Sequence, residues 1–185
     1  SLGTVVIAAS SAAYNIEILV YYVFNSFSQA CTTFVGQNYG AGQIKRCKRT
    51  FLLCVIEDAI TSIAAIFLIL STGKFLLSLF NQDPQVIAIG YTRLVIIFIA
   101  YIFSMLYEVM SGYLRGFGIS LVPAILTTIG VCGTRIGWVY LVFPHHQTFQ
   151  ALMMVYPVSL SVTAVLILGA LLYYRPEKRF QNLEK

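Results

Sequence analysis

Five apolar stretches, each close to the length that crosses a bilayer, dictate what this 185-residue chain can fold into. A membrane helix needs about 20 mostly apolar residues, because each residue advances it by roughly 1.5 Å through a hydrocarbon core about 30 Å thick. The candidate spans cover about residues 5–35, 51–70, 86–114, 121–143 and 151–174. Composition agrees, since 58% of the residues are hydrophobic and only 10% are charged. A soluble domain has about 25% charged residues to cover its surface. The expected fold is all-α, a polytopic membrane helix bundle with five transmembrane helices whose outer surface faces lipid.

The net charge of +5 does not point to nucleic acid, because the basic residues sit in short clusters between apolar runs. Such clusters set topology, since cytoplasmic loops hold the excess of Lys and Arg. Lys45, Arg46, Lys48 and Arg49 follow the first span, Arg115 follows the third, and Arg175, Lys178, Arg179 and Lys185 follow the fifth. The alternate loops, residues 73–84 and 144–150, carry only Lys74. The N-terminus is therefore expected outside and the C-terminus inside, with Tyr173 and Tyr174 in an inner aromatic belt. Within the second loop, "KFLLSLF" is expected as a short amphipathic helix in the interface. Cys31, Cys47, Cys54 and Cys132 show no CxxC pairing, so neither a disulfide framework nor a metal site is implied.

At the inner end of the first span stands "TTFVGQNYGAGQIKRCKRT", Thr32 to Thr50. Gly36, Gly40 and Gly42 can adopt positive φ and close a helix, and Gly36 with Gly40 forms a small-xxx-small pair suited to close helix approach. A phosphate-binding loop is excluded, because no Gly-x-x-x-x-Gly-Lys-Ser/Thr occurs. The chain also lacks HExxH, Gly-x-Ser-x-Gly and paired His-Asp constellations. An enzyme is accordingly the reading least favoured, and no cofactor motif is present.

Intramembrane acids are the first functional candidates, because an ionised carboxylate costs about 2.5–3.5 kcal/mol at a helix centre on insertion scales. They are Glu17, Glu57, Asp58 and Glu108. Glu108 lies on a helix face rich in small and polar residues, with Tyr101, Ser104, Tyr107, Ser111 and Gly112. Glu17 is flanked by Tyr14 and Asn15, and Asn25, Ser28, Gln29 and Thr32 extend a hydrophilic stripe toward the glycine turn. Glu57 and Asp58 point about 100° apart, which suggests pairing with Arg46 or Arg49 at the interface. Arg135 is deep enough to need an acid, with Glu108 the expected partner, whereas Arg93 is placed to snorkel outward. Arg115, beside Gly116 and Gly118, is expected to cap carbonyls and meet headgroups. His145 and His146 fall in an outer loop, where solvation is expected. Pro123 opens the fourth span, and Pro157 is expected to kink the fifth.

The motifs also resemble a known family. "AAYNIE" from Ala12, "SQACTTFVGQNYGAGQIKRCKRT" from Ser28, "LFNQDPQVIAIGYTRL" from Leu79 and "SGYLRGFGIS" from Ser111 are similar, in order, to the bacterial multidrug and toxic compound extrusion (MATE) transporters. That resemblance implies two six-helix lobes, with this chain as helices eight to twelve of twelve. The N-terminal lobe and the first helix of this lobe would then be missing. Gly36, Gln37, Gly40, Gly42, Arg115 and Gly116 fall on the family motifs. In some members a cation-binding acid lies on the helix equivalent to the third span, nearer Ser104, with Glu108 one turn later. The implied function is proton- or sodium-coupled efflux of cationic amphiphilic drugs from the bacterial cytoplasmic membrane, by alternating access. A sodium ion or proton would bind at Glu108 or Glu17, with Asn15, Ser104, Tyr107, Gln29 and Arg135 as further candidates. The expected partners are lipid, drug and the absent lobe. A lipid-linked oligosaccharide flippase and a non-transporting membrane remnant or assembly module remain as alternatives.

Overall fold

The computed structural model describes residues 3–145 and 148–176. His146, Lys178, Arg179 and Lys185 lie outside them. Helix α1 runs over Gly3–Gly40, α2 over Ile44–Ser78 and α3 over Pro84–Gly116. The fourth span consists of α4 (Leu121–Thr128), a π-helical turn (Ile129–Gly133) and α5 (Thr134–Leu141). The fifth consists of α6 (Phe149–Met153) and α7 (Val155–Tyr174). All five spans are long and apolar enough to cross a membrane. Large side chains such as Phe67 (74% exposed) and Ile60 (65%) point outward, as lipid-facing residues do.

The turns between helices follow from local chemistry. Gly42 adopts φ +69° and Gly118 φ +80°, and each completes a Schellman cap. Gln43 N–H donates to the Asn38 carbonyl at 2.8 Å, and Ile119 N–H to the Leu114 carbonyl at 3.0 Å. Gly36 and Gly40 stay helical, so of the three glycines in the motif only Gly42 does the expected work. At the other end, Asp83 Oδ1 accepts from Gln85 N–H at 2.9 Å, and Pro84 opens α3 where a missing N–H costs nothing.

One expectation is corrected. The "KFLLSLF" segment is not a separate interfacial helix: Lys74 to Ser78 form the end of α2, with Leu79 and Phe80 in the turn that follows, and α2 at 35 residues is about 50 Å long and overshoots the hydrocarbon core. Gly73 does not break this helix, because Tyr91 packs over the space that a Cβ would fill, 3.2 Å away. The fifth span is interrupted as expected of Pro157, with the break at Met154, one turn before the proline. Pro157 has no N–H to offer the Met153 carbonyl, so the irregularity appears upstream of the ring.

Helix α3 is the centre of the bundle, with α1 and α2 against one side and α7 against the other, while the fourth span packs on α7. Lipid tails are as apolar as leucine, so helices here associate through close packing and hydrogen bonds. The tightest approach joins α1 and α3. A Cβ on Gly112 would strike the Ser28 carbonyl, and one on Gly116 would lie 2.6 Å from Val35 Cβ. Of the expected pair, Gly36 lies at this seam, where a Cβ would be 3.6 Å from the Gly116 carbonyl, whereas Gly40 has nothing within 4 Å. Across this seam Ser28 Oγ donates to the Glu108 carbonyl at 2.6 Å and Thr32 Oγ1 to the Gly112 carbonyl at 3.1 Å. Val35, Cys47, Tyr113 and Phe117 share one cluster with Leu171 packed on it, which brings the C-terminal ends of α1, α3 and α7 together. The basic groups at Lys45–Arg49, Arg115 and Arg175 therefore share one end of the bundle.

Candidate functional site

A cavity of 520 Å³ lies between α1, α3, the fourth span and α7. Six tyrosines line it, Tyr14, Tyr21, Tyr22, Tyr101, Tyr107 and Tyr156, together with Glu17, Arg93, Glu108 and Arg135. Its chemistry is thus aromatic with four charged groups, which suits an amphiphilic ion better than a neutral lipid tail.

The four charges are not equivalent. Arg93 Nε donates to Glu17 Oε1 at 2.7 Å and Nη2 to Glu17 Oε2 at 3.1 Å. Both residues are buried, and this is the one Lys/Arg/His-to-carboxylate pair within 4 Å among the described residues. Arg93 therefore does not snorkel outward but neutralises Glu17, and desolvation makes the bidentate geometry necessary. Arg135 is not paired with Glu108 as expected. Its Nε donates to Ser159 Oγ at 3.4 Å, and its guanidinium lies 4.6 Å from the Tyr156 ring centroid. Arg93 stands 5.4 Å from the same ring, so Tyr156 faces two guanidinium groups.

Glu108 is buried yet borders the cavity, and Tyr21 O–H donates to its Oε1 at 3.3 Å. No basic side chain among the described residues comes within 4 Å of its carboxylate. One turn earlier Ser104 Oγ donates to Tyr107 O–H at 3.3 Å, which holds the tyrosine against the wall. A second cavity of 290 Å³ lies between α3 and α4 and shares Glu108, Thr127 and Thr128 with the first. Ser111 and Arg115 complete it on the α3 side. Arg115 turns inward instead of toward headgroups, and its Nη2 donates to Ser28 Oγ at 2.7 Å. Glu108 thus stands where the two cavities meet.

Of the residues singled out from sequence, Glu17, Ser104, Tyr107, Glu108 and Arg135 come together around the larger cavity. Asn15 and Gln29 do not: both are exposed, and their side chains bond along their own helix, to the Ser11 carbonyl and Asn25. Gly36, Gln37, Gly40 and Gly42 shape the end of α1 and line neither cavity, and Gly116 serves the α1–α3 seam. Glu57 is exposed and Asp58 is buried, and neither pairs with Arg46 or Arg49. His145 is exposed, as expected of a solvated loop residue. The sequence reading missed Tyr21, Tyr156, Thr127 and Thr128. Only the spacing of Tyr21 four residues after Glu17 gave any signal for one of them.

Comparison with known proteins agrees with this architecture. The family model described as MatE matches residues 1–141. The multidrug and toxin extrusion protein 1 of Homo sapiens is 31% identical over 138 residues, covering 74% of this chain and 24% of the relative. The Mus musculus protein of the same name is 30% identical, with 74% and 24% covered. The probable multidrug resistance protein NorM of Chromobacterium violaceum is 28% identical, with 74% and 30% covered. The chain spans about a quarter of the length of the curated relatives it matches. The matched residues carry α1 to α5, including Glu17, Arg93, Glu108 and Arg135 of the cavity wall, and the chain belongs to the MatE family.

Proposed function

We propose that this chain forms the second lobe of a two-lobe exporter that expels cationic, amphiphilic compounds in exchange for protons or sodium ions, by alternating access. The observation that carries this reading is Glu108, a carboxylate on a tyrosine-lined cavity with no basic group within 4 Å among the described residues. Aromatic faces attract desolvated cations, and an unpaired acid in a membrane lobe is costly unless a cation or proton joins it. The names of the relatives, which specify multidrug extrusion and multidrug resistance, fit that chemistry.

In this mechanism an inward-moving proton or sodium ion neutralises Glu108. Neutralisation changes the energy of one lobe conformation relative to the other, so ion and drug can favour opposite states without touching. Glu17 is the weaker candidate for ion exchange, because Arg93 already supplies its counter-charge. Tyr14, Tyr22 and Tyr101 would receive the apolar body of the drug. The basic clusters support a cytoplasmic placement of the end that carries Lys45–Arg49, Arg115 and Arg175.

A lipid-linked oligosaccharide flippase would need several free guanidinium groups for pyrophosphate. Arg93 is occupied by Glu17, which leaves Arg135 as the one guanidinium of the larger cavity without a carboxylate, and Arg115 of the smaller one bonds Ser28. The test is efflux of an ethidium-like dye from energised membrane vesicles, with the proton and sodium gradients collapsed separately. Coupled export predicts that one of the two treatments stops dye movement. Efflux indifferent to both, or no dye movement at all, contradicts it.

A further inference from the structure

Asp58 lines neither cavity. It lies on the face of α2 turned toward α1 and α3 and is 0% exposed. Ser62 Oγ donates to its Oδ1 at 2.7 Å, while Oδ2 is buried with no hydrogen-bond partner. Contacts elsewhere fix its depth. Cys54, one turn before Asp58, packs in one cluster with Cys31 of α1. Ser28, about one turn before Cys31, bonds the Glu108 carbonyl at 2.6 Å. Because α1 and α2 run in opposite directions, Asp58 comes to the level of Ser28, and hence of Glu108.

Two buried acids therefore stand at one depth in different surroundings. Glu108 borders the cavities, and Asp58 is sealed inside the three-helix interior. The titratable and charged groups near Asp58 are Cys54 and the exposed Glu57 on its own helix, Cys31 from α1, and Glu108 from α3, with Arg115 of α3 bonded to Ser28 at the same level. Among the described residues no Lys or Arg lies within 4 Å of it. An ionised carboxylate with no exposure to solvent, no basic side chain within 4 Å among the described residues and one oxygen lacking any protein donor is the expensive form of the group. The charge of Glu108 at the same level would add like-charge repulsion.

We propose that Asp58 is a proton-binding site, a carboxyl held neutral within the α1–α2–α3 interior with its proton on Oδ2. The proposal goes beyond the export reading and does not depend on it. Its consequence for the lobe is a division of labour. Asp58 keeps its proton, so Glu108 carries the exchangeable charge of the buried acids at this depth and need not compete with a second buried anion.

Infrared spectroscopy of the protein purified from its own membrane tests this directly. At neutral pH the protein should show the carbonyl band of a protonated carboxyl that shifts only slowly in heavy water, because the site is sealed. That band should vanish in Asp58→Asn and persist in Glu108→Gln. Loss of an ionised carboxylate band in Asp58→Asn, with the protonated band intact, would overturn the proposal. Should the variant fail to fold, aspartate carrying carbon-13 in its side-chain carboxyl can be incorporated into the unaltered protein. The slowly exchanging band must then move, and a band that stays in place contradicts a protonated aspartate. Export failing in vesicles would leave this result untouched.

Discussion

Glu17 and Arg93, 76 positions apart, meet in a two-bonded ion pair with oxygen to nitrogen distances of 2.7 and 3.1 Å. The pair ties α1 to α3 at the wall of the cavity and removes one acid from the set free to bind an ion. Breaking one half of a buried pair leaves an uncompensated charge and costs about 3–5 kcal/mol. Glu17→Gln and Arg93→Gln should each lower the thermal midpoint in detergent sharply. The double variant, which removes both charges of the pair, should recover most of that loss. Single and double variants of equal stability would show that the pair contributes nothing to the fold.

The α1–α3 seam makes a sharper structural prediction. Gly112→Ala would press a methyl group against the Ser28 carbonyl, and overpacking of this kind costs about 1–3 kcal/mol. Gly40→Ala meets open space and should change the midpoint little, although both glycines are helical. Thermal melts of the two variants side by side check the claim, and equal effects would contradict it.

Topology is testable without any transport assay. Single cysteines introduced at Gln43 and at Gln82 should label from opposite sides of intact cells, with Gln43 protected from an impermeant reagent and Gln82 reactive. Labelling of both positions from outside would refute the arrangement of basic loops that places Lys45–Arg49 in the cytoplasm.

The five spans could be read from sequence because a continuous apolar run reports directly on the lipid around it. The third span, expected at 86–114, is α3 at Pro84–Gly116. What apolarity cannot report is where a helix ends outside the bilayer, which is why "KFLLSLF" looked separate from α2. Nor does it report rotation about the helix axis. Arg93 was placed outward and Arg135 next to Glu108, because helix order gives neighbours but not facing side chains. Gly36 and Gly40 carried the recognisable spacing, yet Gly112 and Gly116, also four apart, make the close contact. Side-chain pairing of this kind depends on the relative rotation of two helices and has no signature in either one alone.

Glu108 is the central claim, and dye efflux from vesicles after Glu108→Gln is the measurement that tests it most directly, with Glu17→Gln plus Arg93→Gln as the reference for a disturbed wall. If Glu108 binds the coupling ion, Glu108→Gln should reduce coupled efflux by more than about tenfold, a barrier change of about 1.4 kcal/mol, while the protein still binds the dye. The reference variant should export measurably. Efflux by Glu108→Gln at the rate of the unaltered protein would contradict the account.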